Sequence, residues 1–261
     1  MPKISVITVN YNNAEGLKST IKSVLSQSLT EFEFIVVDGD SSDGSRAIID
    51  EYKDHISQWL IKADSGVYQA MNRGIEMATG TYVLFLNSGD TFRDSQILWE
   101  ANKKIVGNVE IYFGNLMFTH CGKEMLQEYP KELHFHYFLE RSLPHPGSFI
   151  KKELFDKYFY YSEDYSIVSD WEFFIYAICK AEASYKHLEM VISNFDLQGM
   201  SNDPKNKAKI TEEREKVLEK YFPSEYKELK ERQSKKIQGE RKLSAKVIRT
   251  LKRLFRSKVT N

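Results

Sequence analysis

The sequence predicts an α/β fold, a mostly parallel central sheet flanked by helices, with a basic helical tail. Three observations predict it. Short apolar runs alternate four times with amphipathic segments over the first ninety residues, polar residues stand at the end of each run, and the last thirty residues combine many cations with a helical apolar stripe. Strand–helix alternation argues for a parallel sheet covered on both faces. Such sheets bind ligands at the carboxyl ends of their strands.

In chain order, Ile4 to Val9 is a buried strand, Ala14 to Gln27 a helix with Leu17, Ile21, Val24 and Leu25 on one face, and Phe34 to Val37 a second strand. Ser42 or Asp43 can cap a helix reaching about Tyr52. Ile56 to Ile61 is a third strand, Val67 to Met77 a helix and Thr81 to Leu86 a fourth strand. After Asp90 the rhythm becomes irregular. A helix near Ser95 to Lys104 leads to short strands at Glu110 to Phe113 and Leu116 to Thr119, an aromatic-rich stretch from Leu133 to Leu139, and a loop from Pro144 entering a strand by Ile150. Ser169 stands where it can cap a helix from Asp170 to Cys179. Two late strands, Ser184 to Leu188 and Val191 to Phe195, precede a loop from Gln198 to Pro204, and charged helix follows.

With 261 residues, 41% hydrophobic and 28% charged, the chain has material for one sizeable core. No apolar run approaches the roughly 18 residues of a membrane span, and the opening segment lacks the length of a signal peptide, so the expected location is the cytoplasm. Cys121 and Cys179 show no CxxC spacing and are expected as reduced thiols. The net charge of zero hides an asymmetry: Arg232 to Asn261 holds eleven Lys or Arg against Glu240 alone, a charge of +10, which leaves −10 on the first 231 residues. That argues against nucleic-acid binding by the main domain.

Thr8 and Asn10, Asp38, Asp64, and Asn87 to Asp90 follow the four predicted strands, and four aligned strands gather them in one crevice. Each alone also fits a cap or a turn; the set carries the reading.

Four segments give a more specific signal: Val6-Ile-Thr-Val-Asn-Tyr-Asn12, Val36-Val-Asp-Gly-Asp-Ser-Ser-Asp-Gly-Ser45, Lys62-Ala-Asp-Ser-Gly-Val-Tyr-Gln-Ala-Met-Asn-Arg-Gly74 and Leu84-Phe-Leu-Asn-Ser-Gly-Asp90. In order and spacing they resemble the signatures of inverting family 2 glycosyltransferases with the Rossmann-like GT-A fold, over roughly residues 3 to 200. The segment from Asp64 resembles the subgroup that builds bacterial surface polysaccharides. The resemblance implies a nucleotide-sugar donor, usually a UDP-sugar, a saccharide or polyprenyl-linked saccharide acceptor, and Mn²⁺ or Mg²⁺ on the donor diphosphate. It divides the chain into a nucleotide-sugar half, 1–90, an acceptor half, 91–200, and a basic extension, 201–261.

Within that frame the nucleotide-sugar candidates are Thr8, Asn10, Asp38, Asp64, Asn72, Asn87 and Ser88. Asp38 can accept a hydrogen bond from the uracil imide, while Thr8, Asn10 and Asp64 can line base and ribose. Asp90 is a hard oxygen ligand suited to the metal, which would neutralise the leaving diphosphate. The commoner family motif has two aspartates flanking one residue; here only the final carboxylate stands, and Asn87 is left to bond the ribose or a metal-bound water.

Ser169-Asp170-Trp171-Glu172 resembles the family's acidic motif, whose first Asp takes the proton of the attacking acceptor hydroxyl. Asp170 is therefore the candidate base, although it also fits a plain helix cap. His145, Trp171 and Glu172 are the acceptor candidates, with Trp171 as a stacking platform; ordinary core for Trp171 and a loop role for His145 are the alternatives.

From Lys242 to Arg256, residues Leu243, Val247, Ile248, Leu251, Leu254 and Phe255 form one helical stripe among Lys246, Arg249, Lys252, Arg253 and Arg256. That pattern suits a helix lying in an anionic membrane surface, here the cytoplasmic face of an inner membrane. Packing on the main domain or on a second copy of the chain, in a homo-oligomer, is the alternative.

Other functions fit less well. The turn after the first strand has no GxGxxG for a dehydrogenase dinucleotide, and no Gly-rich, cation-bearing loop follows that strand to hold the triphosphate of a sugar nucleotidyltransferase. The presence of Asp38, Asp90 and Asp170 together argues against a non-catalytic sugar-binding scaffold.

Overall fold

β1 (Ile4–Asn10) and β2 (Glu33–Asp38) are buried from end to end. Strands with no exposed face belong inside a sheet covered on both sides. In the computed structural model, which describes residues 2–120, 122–197 and 203–232, β1 pairs in parallel with β2 and with β4 (Tyr82–Phe85). β3 (Gln58–Ile61) extends the parallel edge beyond β2. The crossovers are α1 (Ala14–Leu25), α2 (Ser45–Tyr52) and α3 (Val67–Met77).

Beyond β4 the pairing becomes mixed, where a mostly parallel sheet was expected. With β5 (Thr91–Phe92), β6 (Ile111–His120), β7 (Lys123–Gln127), β8 (Ser148–Lys151) and β9 (Tyr185–Asp196), the order is β3-β2-β1-β4-β8-β6-β9-β5, with β7 beside β6. β8 runs antiparallel to both β4 and β6, and β9 runs parallel to β6.

One face of the sheet carries Ile4, Val6, Phe34, Val36 and Leu84 against Leu17, Ile21 and Val24 of α1, Ile49 of α2, and Leu98 and Ala101 of α4 (Ile97–Lys104). A second group holds the aromatics. Phe155 of α6 (Glu153–Lys157) stacks on Phe173 of α7 (Ser169–Cys179) at 4.5 Å, and Tyr161 packs against Phe85 and Tyr68. Burying each such side chain contributes about 1.5–3 kcal/mol. α5 (Phe135–Glu140) supplies buried Phe138.

Local differences have local causes. The pairs of short strands expected near 110–119 and 184–195 are single long strands, β6 and β9, whose register shifts around Asn115, with Glu189 in the left-handed region at φ 53°. Such irregularities break the period-2 pattern. Ser169 does not cap α7: Val168 is the N-cap, and the buried Ser169 hydroxyl has no hydrogen-bond partner among the described residues. The Glu213 carboxylate instead accepts from Ser166 N and Ile167 N just ahead of the helix. α2 starts after Gly44, with Asp43 accepting from both N–H and hydroxyl of Ser45.

The chain divides into two compact units, Met1–Glu213 and Arg214–Asn261. The first holds the sheet. The second contains the end of α8 (Lys207–Tyr221) and a helical segment over 223–232, joined by Lys230 to Glu215. Among the described residues, no helix is long and apolar enough to cross a membrane. Cys179 is a free thiol that burial pushes up to about 11. Cys121, residues 198–202 of the expected late loop, and the basic stripe from Lys242 lie outside the described residues.

Candidate active site

Parallel register sets Asn10, the last residue of β1, directly beside Asp38, the last of β2. Asn10 Nδ2 donates to Asp38 Oδ2 at 2.7 Å and to Ser45 Oγ at 2.9 Å. Asp38 also accepts from Ser41 N (2.8 Å) and Ser41 Oγ (2.8 Å). Donors on every side allow a fully buried carboxylate. Asp38, expected to face uracil, is buried and engaged by Asn10 and Ser41. Thr8 is buried too, and its hydroxyl donates to Leu86 O at 2.7 Å, tying β1 to the end of β4.

Tyr11 does face outward, 67% exposed directly after a buried strand. Its ring, Gly39 and Asp64 meet closely: a Cβ at Gly39 would lie 2.7 Å from Asp64 Oδ2 and 3.1 Å from the Tyr11 ring, so a larger residue would part them. Asp64 Oδ1 accepts from Gly66 N at 3.1 Å. Burial raises the Asp64 pKa, with the Gly66 N–H and Arg73 opposing. Arg73 fixes the same loop through Lys62 O and Ala63 O.

After β4 the chain turns through Gly89, whose φ of 106° suits glycine. Thr20 of α1 holds this turn, donating to Asp90 O at 2.7 Å and accepting from Gly89 N at 3.0 Å. Ser88 is tied to the start of α1 by its hydroxyl bond to Asn13 O and by Asn13 Nδ2 to Ser88 O. Asp90 lies largely buried beside this turn. Among the described residues no three His, Cys, Asp or Glu gather as a metal cluster. One hard carboxylate fits Mg²⁺ or Mn²⁺ provided substrate phosphates and water complete the sphere.

Asp170 stands in the first turn of α7. Its Oδ1 accepts from Tyr68 OH at 3.0 Å and Trp171 N at 2.9 Å, while its Oδ2 faces His145 Nδ1 at 3.2 Å. His145 opens a short 3₁₀ turn, His145–Gly147, and its Nε2 lies 3.2 Å from Asn87 Nδ2. The end of β4 is thereby linked through His145 to α7. Burial pushes the Asp170 pKa up, but His145, Tyr68 and the Trp171 N–H hold it below the ordinary value. For His145 burial pulls down, and the Asp170 and Asp90 carboxylates carry it above its ordinary value.

Three expected ligands lie elsewhere. Trp171 is 2% exposed, and its indole N–H donates to Phe138 O at 2.7 Å, so it is core rather than a stacking platform. Glu172 is fully buried within α7. Successive helical residues point about 100° apart, so Asp170 can face the crevice while its two successors turn away. Asn72 spends its amide on Tyr161, donating to its carbonyl at 2.8 Å and accepting from its N–H at 3.0 Å. It shares a helix face with Tyr68, four residues earlier. Tyr11, Thr20, Ser41 and Tyr68 escaped the sequence reading.

The sequence model of Glycosyl transferase family 2 matches residues 5–159, a span that includes all four parallel strands and His145. An uncharacterised glycosyltransferase of Mycobacterium tuberculosis is 31% identical over 206 residues, 77% of this chain and 78% of that protein. A PGL/p-HBAD biosynthesis glycosyltransferase of Mycobacterium bovis is 26% identical over 208 residues, 77% of this chain and 80% of the other. Among solved structures, S. aureus TarS 1-349 in complex with UDP-GlcNAc is similar with a TM-score of 0.63 at 20% identity, covering 76% of this chain and 59% of that one. This chain spans 36% of a longer TarS chain. The structural likeness confirms the GT-A architecture, and with the matched span and the 31% identity it follows that the chain belongs to glycosyl transferase family 2.

Proposed function

We propose that this chain is an inverting glycosyltransferase that moves a hexosyl or N-acetylhexosaminyl group from a UDP-sugar to a saccharide or lipid-linked saccharide in surface polysaccharide synthesis. The observation that carries the reading is the Asp170 carboxylate, held by Tyr68 and His145 and linked to the turn at the end of β4. The exposed Tyr11 ring offers a face for the base, with Asp64 beside it for polar contact. Asn87 and Ser88 border the sugar and diphosphate, and Asp38, Asn10 and Thr8 hold the floor beneath.

Asp90 is the residue that would hold Mn²⁺ or Mg²⁺, which when bound offsets the charge of the departing diphosphate. Asp170, ionised at neutral pH, accepts the acceptor hydroxyl proton as that oxygen bonds to the anomeric carbon and the bond to the diphosphate breaks. Attack opposite the leaving group inverts the centre. The basic stripe from Lys242 to Arg256 favours a lipid-linked acceptor and work at an anionic membrane face in the cytoplasm.

A thermal-shift screen of nucleoside diphosphates and their sugars, with and without Mn²⁺, tests the donor assignment. Ligand at a hundred times its Kd stabilises by about 2.7 kcal/mol. UDP and UDP-sugars should raise the melting temperature, more so with Mn²⁺; a response to GDP alone, or to none of them, overturns the assignment.

A further inference from the structure

We propose that His145 is a positioning residue, which fixes the Asp170 carboxylate and ties it through Asn87 to the turn that carries Asp90. The inference rests on Asp170 being the base. It departs from the expectation that His145 binds acceptor, because both ring nitrogens already have protein partners, Asp170 on Nδ1 and Asn87 on Nε2.

The hydrogen-bond inventory defines the arrangement. An ionised carboxylate offers about four lone-pair sites. Tyr68 OH and Trp171 N occupy both on Oδ1, and His145 Nδ1 takes one on Oδ2, leaving a single direction from which a substrate proton can arrive. The Asn87 amide donates to Nε2, so the neutral imidazole carries its hydrogen on Nδ1, toward Asp170. This tautomer follows from the network rather than from hydrogen positions.

The turn bearing His145 is itself held. Ser148 Oγ donates to Pro144 O at 2.7 Å and Ser193 Oγ to Pro146 O at 2.7 Å, anchoring the residues on either side. The His145 ring also meets Phe195 edge to face at 6.4 Å. An imidazole so fixed sets the carboxylate direction, and a misplacement of about 1 Å at a reacting group can cost roughly a hundredfold in rate.

Two substitutions separate the roles of the two nitrogens. His145→Asn places an amide N–H near the former Nδ1, and His145→Gln places one near Nε2. Rates of UDP release from UDP-GlcNAc with Mn²⁺ are measured with a polyprenyl-linked saccharide extract as acceptor, alongside UDP affinity and melting temperature. His145→Gln is expected to lose about ten- to a hundredfold in kcat, with half-saturating extract, UDP affinity and melting temperature unchanged; His145→Asn should keep most of the kcat. Equal activity of His145→Gln and wild type overturns the proposal. So does a raised requirement for extract at normal kcat, which makes His145 an acceptor ligand, or loss in both variants as deep as in Asp170→Asn, which makes the imidazole the proton carrier.

If a His145 variant fails to fold, Tyr68→Phe tests the same carboxylate from its other oxygen and should lower kcat alone; an unchanged kcat refutes the claim that holding Asp170 matters. Full activity of Asp170→Asn removes the base assignment and this inference with it. Inactive Asp170→Asn beside fully active His145→Gln removes the inference only.

Discussion

Asn10 Nδ2 lies 2.7 Å from Asp38 Oδ2, so a buried amide–carboxylate hydrogen bond joins the carboxyl ends of β1 and β2. Asp38→Asn keeps one acceptor oxygen and would set its amide donor against either the Ser41 N–H or the Asn10 amide. Leaving a buried donor unpaired costs about 1–3 kcal/mol. The variant should melt lower than wild type and lose stabilisation by UDP, since the loops carrying Tyr11 and Gly39 depend on that network. Melting curves with and without UDP check this; an unchanged melting temperature with UDP binding lost would return Asp38 to direct contact with the base.

In the proposed reaction Asp90 would supply the carboxylate that holds the metal on the donor diphosphate. Asp90→Ala should keep the fold and lose both sugar transfer and the Mn²⁺-dependent part of nucleotide stabilisation. Wild-type activity that survives excess chelator would contradict the metal role.

The parallel half of the fold was legible because β1 and β2 are nearly uninterrupted apolar runs, and strand alternation alone sends Asn10, Asp38, Asp64 and Asn87 toward one end of the sheet. Which of them would face the crevice was not legible. The burial of Asp38 depends on Ser41 and Asn10, and that of Asn72 on Tyr161, partners distant in sequence or hidden in a polar loop. Trp171 and Glu172 share a motif with Asp170, yet a helix turns them away from it. Tyr11 sits in a turn-like run, Asn-Tyr-Asn-Asn, that carries no periodic signal.

Glu33 begins β2 and accepts from Ser5 Oγ (2.6 Å), Thr79 N (2.8 Å), Thr79 Oγ1 (3.0 Å) and Gln58 Nε2 (2.9 Å). Burial pushes its pKa up, but these donors hold it below the ordinary 4.5. A folded pKa below the unfolded one gives stability that is full above about 4.5 and lost as pH falls through the folded value. Glu33→Gln should cost about 1–3 kcal/mol near neutral pH and flatten the fall in stability on acidification. Urea unfolding between neutral pH and pH 3 checks it, and parallel curves for the two proteins would contradict it.

A chain ending near Gln238 lacks the basic stripe and should keep UDP binding while losing co-sedimentation with anionic vesicles. Each Lys or Arg near such a surface contributes about 1 kcal/mol, so binding of the full chain should weaken with salt. A change of oligomeric mass on truncation, without lipid-dependent pelleting in the full chain, would assign the stripe to a protein contact.

If Asp170 takes the acceptor proton during transfer from a UDP-sugar, Asp170→Asn removes that step most directly, because the amide keeps the shape but cannot act as the base. The measurement is acceptor-dependent UDP release from UDP-GlcNAc with Mn²⁺, with the polyprenyl-linked saccharide extract as acceptor. A general base is worth about 10² to 10⁴ in rate, so the variant should fall by that factor while its affinity for UDP and Mn²⁺ stays at the wild-type value. Release at the wild-type rate, or loss of nucleotide binding in place of turnover, would contradict the account.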